Sequence, residues 1–178
     1  MRVHKNGFTL IELIIGIVIF AIALTIIVGL IAPQARQSAE PLIQLKASEL
    51  GQSLMNEILS KSFDEHSDRA PPFRRCSETA LGAQPCTDTG DFGLDGSETR
   101  TNYDDVDDYV ALSGQAITNA IGEELFEYQD FSLDVQVEYD SDYNASTNDG
   151  GVLAKRITVT VISPLGERYG FTSYKSNY

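Results

Sequence analysis

The chain has 178 residues with a formal net charge of −13. Residues 1–32 carry Arg2, Lys5 and Glu12, a net charge of +1, which leaves −14 for residues 33–178. So acidic a remainder repels phosphate backbones, which excludes nucleic acid as a direct partner. The length allows one domain with its own core, together with a membrane or assembly segment.

The N-terminal segment divides into a short basic stretch, residues 1–7, and a long apolar stretch from Phe8 to Ala32. At 1.5 Å per residue the apolar stretch predicts a helix of roughly 37 Å, long enough to span a bilayer. A secretory signal has a shorter apolar part followed by a small-residue cleavage site, so we interpret residues 8–32 as an anchor. Because basic flanks stay in the cytoplasm, we expect the rest of the chain to be exported.

Glu12 is the one strongly polar side chain in this apolar stretch. An ionisable group costs roughly 2.5–3.5 kcal/mol near the bilayer centre and less near its edge. The residues around it, Gly7-Phe8-Thr9-Leu10-Ile11-Glu12, match the type III signal of prepilins, and on this motif the chain resembles the type IV pilin superfamily. The alternative is a carboxylate that stays hydrated at the level of the lipid headgroups.

The resemblance implies how the N-terminus is processed. A membrane prepilin peptidase would cut between Gly7 and Phe8, remove the leader of residues 1–7, and leave Phe8 as an N-methylated terminus. Glu12 would then pair with the terminal ammonium of a neighbouring subunit, since a buried charge is tolerable when an opposite charge neutralises it.

The resemblance also implies partners and a location. The partners are other pilin subunits, both major and minor, the prepilin peptidase, the pilus assembly platform and the membrane. The chain would cross the inner membrane once, with its head in the periplasm, and would later lie in a pilus at the cell surface.

Residues 33–62 are expected to form the amphipathic second half of the helix. Apolar side chains recur there at steps of three and four residues. They are Ile43, Ala47, Leu50, Leu54 and Ile58, with Leu42, Leu45, Met55 and Leu59 widening the stripe. Pro33 and Pro41 each remove a backbone donor, so we expect the helix to kink, loosen or restart there. The stripe should pack against the sheet of the head.

Residues 63–178 are expected to form that head. Residues 63–102 are rich in Gly, Pro, Ser, Asp and Thr, which predicts a long connecting loop. This loop contains both cysteines, Cys76 and Cys86. In an exported head we expect them to form a disulfide that staples the loop.

Period-two patterns towards the C-terminus predict strands with one buried face. The apolar positions are Phe131, Leu133, Val135, Val137 and Tyr139, and then Ile157, Val159 and Val161. A turn at Ser163-Pro164-Leu165-Gly166 should lead into a third, antiparallel strand from Arg168 to Tyr174. The fold class is therefore α+β and pilin-like, with a long N-terminal helix packed on a C-terminal antiparallel sheet.

Two acidic clusters are candidates for a hard cation such as calcium, which binds several oxygens within a flexible loop. The clusters are Asp104, Asp105, Asp107 and Asp108, and Asp140, Asp142 and Asn144. Ala145 and Gly151 stand where an EF-hand needs glycine and glutamate, so the second cluster is not an EF-hand. The alternative is a solvated acidic loop without a metal, and no other cofactor is expected.

Catalysis is not favoured. Once the leader is removed, His66 is the remaining histidine, and both cysteines are expected to be oxidised. This argues against a Cys–His nucleophile and against histidine-rich metal sites. We expect a structural protein and not an enzyme.

Segments of the second half of the helix and of the head carry a finer resemblance, to minor pilins of the mannose-sensitive haemagglutinin (MSHA) pilus. These segments are Lys46–Gln52, Asp104–Tyr109, Tyr139–Tyr143, Ala154–Val159 and Tyr174–Tyr178. The implied function is pilus assembly or initiation, together with surface attachment.

Two alternatives stay open. Residues 1–32 suit a pseudopilin of a type II secretion system equally well. A hypothesis of another class is a calcium- or carbohydrate-binding adhesin head on a membrane anchor, because Tyr103, Tyr109, Tyr139 and Tyr143 lie beside the aspartates.

Overall fold

A computed structural model describes residues 7, 9–68, 70–146 and 151–178, with the backbone alone described for residues 31–39. The chain divides into two compact units, Met1–Ile43 and Gln44–Tyr178. Phe8 and residues 1–6, on which the predictions of a leader and of N-methylation fall, lie outside the described residues.

One helix, α1, runs from Leu10 to Leu59. At its start the backbone N–H of Glu12 donates to Thr9 Oγ1 (3.4 Å), so that Thr9 satisfies an otherwise unpaired N–H of the first turn. The helix does not end and restart at Pro33 or Pro41, which was one of the three outcomes expected there. A proline removes a single donor, and the hydrogen bonds of the turns on either side can continue the helix.

The second unit contains a three-stranded antiparallel sheet in the order β1-β2-β3, which confirms the predicted fold class. The strands are β1 Ser132–Tyr139, β2 Ala154–Ile162 and β3 Arg168–Ser176. The turn between β2 and β3 is also as predicted, because Gly166 N–H donates to Ser163 C=O (2.9 Å). Gly166 has a φ of 82°, a left-handed conformation that favours glycine.

One face of the sheet packs on the C-terminal part of α1. The buried side chains are Ala47, Leu50, Leu54, Met55 and Ile58 of α1, Leu133, Val135 and Val137 of β1, and Ile157, Val159 and Val161 of β2. The stripe is narrower than predicted, because Leu42 and Leu45 are 58% and 63% exposed. Leu45 precedes the buried Ala47 by two positions, which places it on the opposite side of the helix.

Gly51 allows β3 to approach α1 closely. A Cβ atom at this position would lie 2.2 Å from Cε2 of Phe171. Glycine in a helix interior costs roughly 0.5–1 kcal/mol relative to alanine. The close contact with the Phe171 ring explains why it is present.

Residues 63–102 lie in a long loop with short 3-10 turns, as predicted, and they contain the predicted Cys76–Cys86 disulfide. The loop continues beyond the predicted bound to the start of β1. A separate set of contacts joins this loop to α1. Arg100 Nη2 donates to Glu57 Oε2 (2.7 Å), and Tyr109 Oη donates to Glu57 Oε1 (2.7 Å). Burial opposes ionisation of Glu57, but these two donors keep its pKa below the ordinary value.

Candidate functional site

The first unit presents an apolar helix surface with no protein covering it. Among the described residues, Leu10–Leu30 is the segment long and apolar enough to cross a membrane, with a mean hydropathy of 3.1 and no part of it buried. Its 21 residues span about 31 Å, close to the thickness of a bilayer core. Such a surface needs lipid or other apolar helices around it.

Glu12 lies in the first turn of this helix and is exposed. A carboxylate is favoured there because the N-terminus of a helix carries partial positive charge. Within the described part of the chain the ion pairs do not include Glu12. Gly7 is exposed as well, whereas its expected cleavage partner Phe8 lies outside the described residues.

The first acidic cluster lies mainly in the interior of the head. Asp105, Asp107 and Asp108 are only 1%, 2% and 1% exposed, so for these three the alternative of a solvated acidic loop is wrong. The carboxylates of Asp105 and Asp108 can be buried because backbone N–H groups of neighbouring residues donate to them. Asp105 Oδ1 accepts N–H groups of Asp107 and Asp108, while Asp108 Oδ2 accepts those of Asp104 and Asp105. Short carboxylates cap backbone donors in this way at the start of a helical turn.

The buried acids surround a buried lysine that the sequence analysis missed. Lys155 of β2 is fully buried, and its Nζ donates to Asp107 Oδ1 and to Asp64 Oδ2, the latter at 3.2 Å. Aromatic rings enclose the ammonium group. Its Nζ lies 4.7 Å from the ring centroid of Phe92 and 4.9 Å from that of Phe63. We call Lys155, Asp64, Asp105 and Asp107 the buried charge cluster.

The sequence did contain a signal for this lysine. Lys155 is in phase with Ile157, Val159 and Val161, the buried positions of β2. A lysine at an inward-facing position of a strand must be paired with acids, because an isolated buried ammonium is too costly.

Two acids of the buried charge cluster, Asp105 and Asp107, have pKa values above the ordinary value of an aspartate. Burial, together with the neighbouring carboxylate of Asp107, raises the pKa of Asp105 to about 8. Burial also raises the pKa of Asp107, although Lys155 opposes the shift. Ligand atoms of Asp64, Asp105 and Asp107 lie within 4.8 Å of one another, which places the three carboxyl groups side by side in the interior.

The second acidic cluster forms a hydrogen-bonded loop after β1. Asp140 is fully buried, and its Oδ1 and Oδ2 accept the backbone N–H groups of Asn144 and Ala145. Tyr174 Oη also donates to Asp140 Oδ2 (2.8 Å). Although burial opposes ionisation, these donors lower the pKa of Asp140. Asp142 is exposed and accepts from the Asn144 side-chain amide.

The structure does not bring the two predicted acidic clusters together as one ligand set. It does gather Asp108 with two acids outside the predicted set, Asp95 and Glu98, with ligand atoms within 4.8 Å of one another. Burial and a hydrogen bond with Asp108 raise the pKa of Glu98 to about 7. Calcium binding stays a prediction.

The four tyrosines do not form a sugar-binding surface. Tyr103, Tyr109 and Tyr139 are at most 8% exposed and belong to the core. Tyr143 is exposed and packs on Tyr174, with their ring centroids 5.0 Å apart. The aromatic side chains therefore give no support to a carbohydrate-binding head.

Comparison with known proteins finds a family similarity in the N-terminal segment. The prokaryotic N-terminal methylation motif matches residues 2–28. This match supports a type IV pilin or pseudopilin, a structural class whose motif implies prepilin peptidase processing and assembly with other pilins. Together with the apolar helix it indicates a membrane-anchored pilin. No curated protein matches the chain, and no solved structure does.

Proposed function

We propose that this chain is a minor pilin of an MSHA-type type IV pilus, similar to minor pilin D of that pilus, and that it contributes to pilus assembly or initiation and to surface attachment. The resemblance of the five segments between Lys46 and Tyr178 supports the MSHA-type assignment. The observation that most supports a pilin-like subunit, which a pseudopilin would share, is the position of Glu12. It is an exposed carboxylate at the start of an uncovered apolar helix, inside the matched methylation motif.

The apolar surface of Leu10–Leu30 serves two environments in this proposal. It holds the subunit in the inner membrane, with the head in the periplasm, until the assembly platform extracts it. The same surface then packs against helices of other pilin subunits. Lipid tails and packed helices are similarly apolar, so hydrophobicity alone does not drive the transfer. A pair between Glu12 and the methylated ammonium at Phe8 of a neighbouring subunit would favour the fibre.

The processing step is tested by N-terminal sequencing of the protein from cells with and without prepilin peptidase. We expect the mature chain to begin at N-methylated Phe8 when the peptidase is present and at Met1 when it is absent. A chain that begins at Met1 in both strains contradicts the proposal.

A second experiment separates the pilus from a secretion pseudopilus. Deletion of the gene should remove or reduce surface pili, and the subunit should be detected in fibres sheared from the cell surface. Loss of enzyme secretion with normal surface pili would instead assign the chain to a type II secretion system.

A cation-binding head is the second candidate, and the convergence of Asp95, Glu98 and Asp108 favours it. A divalent cation bound there would neutralise three carboxylates that lie close together, and it would lower the pKa of Glu98, which burial and the hydrogen bond with Asp108 raise. Calorimetry of the full chain in detergent with calcium tests this candidate, with Asp95→Asn as the variant that should abolish the heat and the exposed Asp142→Asn as its control. If the wild-type protein gives no heat, this candidate is removed.

A further inference from the structure

The arrangement around Lys155 unites three conditions for a chemical reaction. An amine contacts a carboxyl group, because Lys155 Nζ donates to Asp107 Oδ1. Further carboxyl groups that can carry protons lie beside the pair, with atoms of Asp64, Asp105 and Asp107 within 4.8 Å of one another. The side chains of Lys155 and Asp64 are fully buried, and that of Asp107 is 3% exposed, so water is largely excluded.

We propose that Lys155 and Asp107 condense to form an intramolecular amide, an isopeptide bond between Lys155 Nζ and Asp107 Cγ, with Asp64 and Asp105 transferring the protons. The bond would join β2 to the acidic turn, two segments 48 residues apart in the sequence.

The reaction balances without an oxidant or a co-reactant. Asp64 takes one proton from the Lys155 ammonium, and the free amine attacks Cγ of Asp107. Before the attack Asp105 passes its proton to Asp107, so that Asp107 reacts in its acid form. Asp64 then gives the proton it had taken to the departing Asp107 hydroxyl, which leaves as water. The second nitrogen proton returns to Asp105. In sum, an ammonium and a carboxylate become a secondary amide and one water molecule.

The contacts of the acids assign their roles. Asp64 Oδ1 accepts the backbone N–H of His66 (3.1 Å), and Oδ2 accepts that of Thr87 (2.9 Å). Asp64 Oδ2 also accepts from Lys155 Nζ (3.2 Å), which places Asp64 to take a proton from the ammonium. The burial that raises the pKa of Asp107 favours its acid form, in which the carbonyl carbon is more electrophilic. Asp105 holds a proton close by because its own pKa is also raised.

Burial favours the product over the ion pair. Two opposite charges in a dry interior retain a large desolvation penalty, whereas an amide carries no net charge. The fold holds the reacting groups in contact, so the step avoids most of the entropy that an intermolecular condensation loses. The rings of Phe63, Phe92 and Tyr139 around the ammonium limit its movement and keep water out.

Mass spectrometry of the full chain, purified in detergent, tests the proposal. After reduction and denaturation, the intact mass should be lower than the sequence mass, corrected for N-terminal processing, by one water molecule. Proteolysis should then release a branched peptide that contains Lys155 joined to Asp107. A wild-type protein at its full mass overturns the proposal, and this measurement does not depend on any variant folding.

Variants separate this bond from other water losses, such as cyclisation of an aspartate elsewhere. Lys155→Arg keeps the positive charge but removes the nucleophilic amine, so its mass should be the full sequence mass. Lys175→Arg, at a lysine that donates to Leu59 C=O (2.8 Å), is the matched control and should still lose one water. Water loss that persists in Lys155→Arg, or a branch that joins Lys155 to Asp64, overturns the assignment.

The role of Asp105 has its own test. Asp105→Asn preserves the size of the side chain but removes the proton that the reaction needs, so most of this variant should remain at full mass. Condensation of Asp105→Asn to the same extent as the wild-type protein would contradict the proton path. Slower condensation of the variant than of the wild-type protein supports it.

Discussion

Lys155 Nζ lies 3.2 Å from Asp64 Oδ2 in the interior of the head, and neither side chain is exposed to solvent. Asp64 follows the end of α1, Lys155 belongs to β2, and Asp107 of the acidic turn completes the contact. Three segments distant in sequence therefore meet at one buried cation. The stability of the head should depend on this cluster more than on any ion pair at its surface.

Removing Asp64 tests that dependence. Asp64→Ala deletes the acceptor of Lys155 and of two backbone N–H groups, so we expect a loss of about 3–5 kcal/mol in the free energy of unfolding. The control is Asp68→Ala, which breaks the exposed pair with Arg74 and should change the free energy by about 0–1 kcal/mol. Urea unfolding in detergent, followed by the near-UV circular dichroism of the tyrosines, measures both. Equal effects would contradict the prediction.

The raised pKa of Asp105 predicts how stability depends on pH. An unfolded aspartate has a pKa near 3.9, whereas folded Asp105 has a pKa of about 8. Between about pH 4 and pH 8 the folded state binds more protons, so this contribution is complete below pH 4, falls as the pH rises and is lost above about pH 8. Burial is the largest cause of the shift, and it remains whether or not Lys155 and Asp107 are joined.

Asp105→Asn should therefore flatten the decline of the urea midpoint between pH 5 and pH 8. Asp130→Asn, at an exposed position, serves as the control and should keep the wild-type slope. Glu57 and Asp140 have lowered pKa values and act in the opposite direction at more acidic pH, where their contribution is lost as the pH falls. An unchanged slope in Asp105→Asn would show that this side chain does not carry the effect.

Gly51→Ala should destabilise the head by about 1–3 kcal/mol, because its new Cβ would overlap the Phe171 ring. Gly90→Ala is the matched control, since no atom lies within 4 Å of a Cβ built there. The double variant Gly51→Ala/Phe171→Leu should recover part of the loss. Thermal unfolding of the three variants gives the comparison, and a Gly51→Ala protein as stable as the wild type would be incompatible with the close contact.

Glu12→Ala should reduce incorporation into fibres without preventing leader cleavage. If the pair with the neighbouring terminus is worth about 1.4 kcal/mol or more, the ratio of fibre to membrane subunit falls about tenfold or more. Glu12→Gln should behave similarly because it lacks the charge, and Glu49→Ala, at an exposed position in the C-terminal part of α1, should assemble normally. Immunoblots of sheared fibres and membranes provide the ratio. Wild-type incorporation of Glu12→Ala would remove the role assigned to this carboxylate.

The predictable part of the fold is the part that repeats. The alternation of Leu133, Val135 and Val137 predicted a strand because a half-buried strand has a period of two residues. The apolar stripe of the helix was predicted from its own period of 3.6 residues. The turn at Pro164 and Gly166 has local chemistry that does not depend on the rest of the chain. Leu45 was misjudged because hydrophobicity alone does not say which side of a helix meets the sheet.

The buried charge cluster was hidden for a different reason. Asp105 and Asp107 belong to a run of aspartates typical of a surface loop, and Asp64 lies 91 residues from its partner Lys155. A pairing over this distance exists only once the chain is folded. The inward phase of Lys155 shows that a counter-charge is needed, but does not say which of the 26 acidic residues supplies it.

Thr87 connects the disulfide to the buried charge cluster. Thr87 directly follows Cys86, its N–H donates to Asp64 Oδ2, and its C=O accepts the hydroxyl of Tyr139 beside Lys155. A subunit with reduced thiols would hold Thr87 less firmly and admit solvent to the lysine. Oxidation of Cys76 and Cys86 should therefore help to hold the buried charge cluster as well as the loop, and such disulfides persist in oxidising compartments.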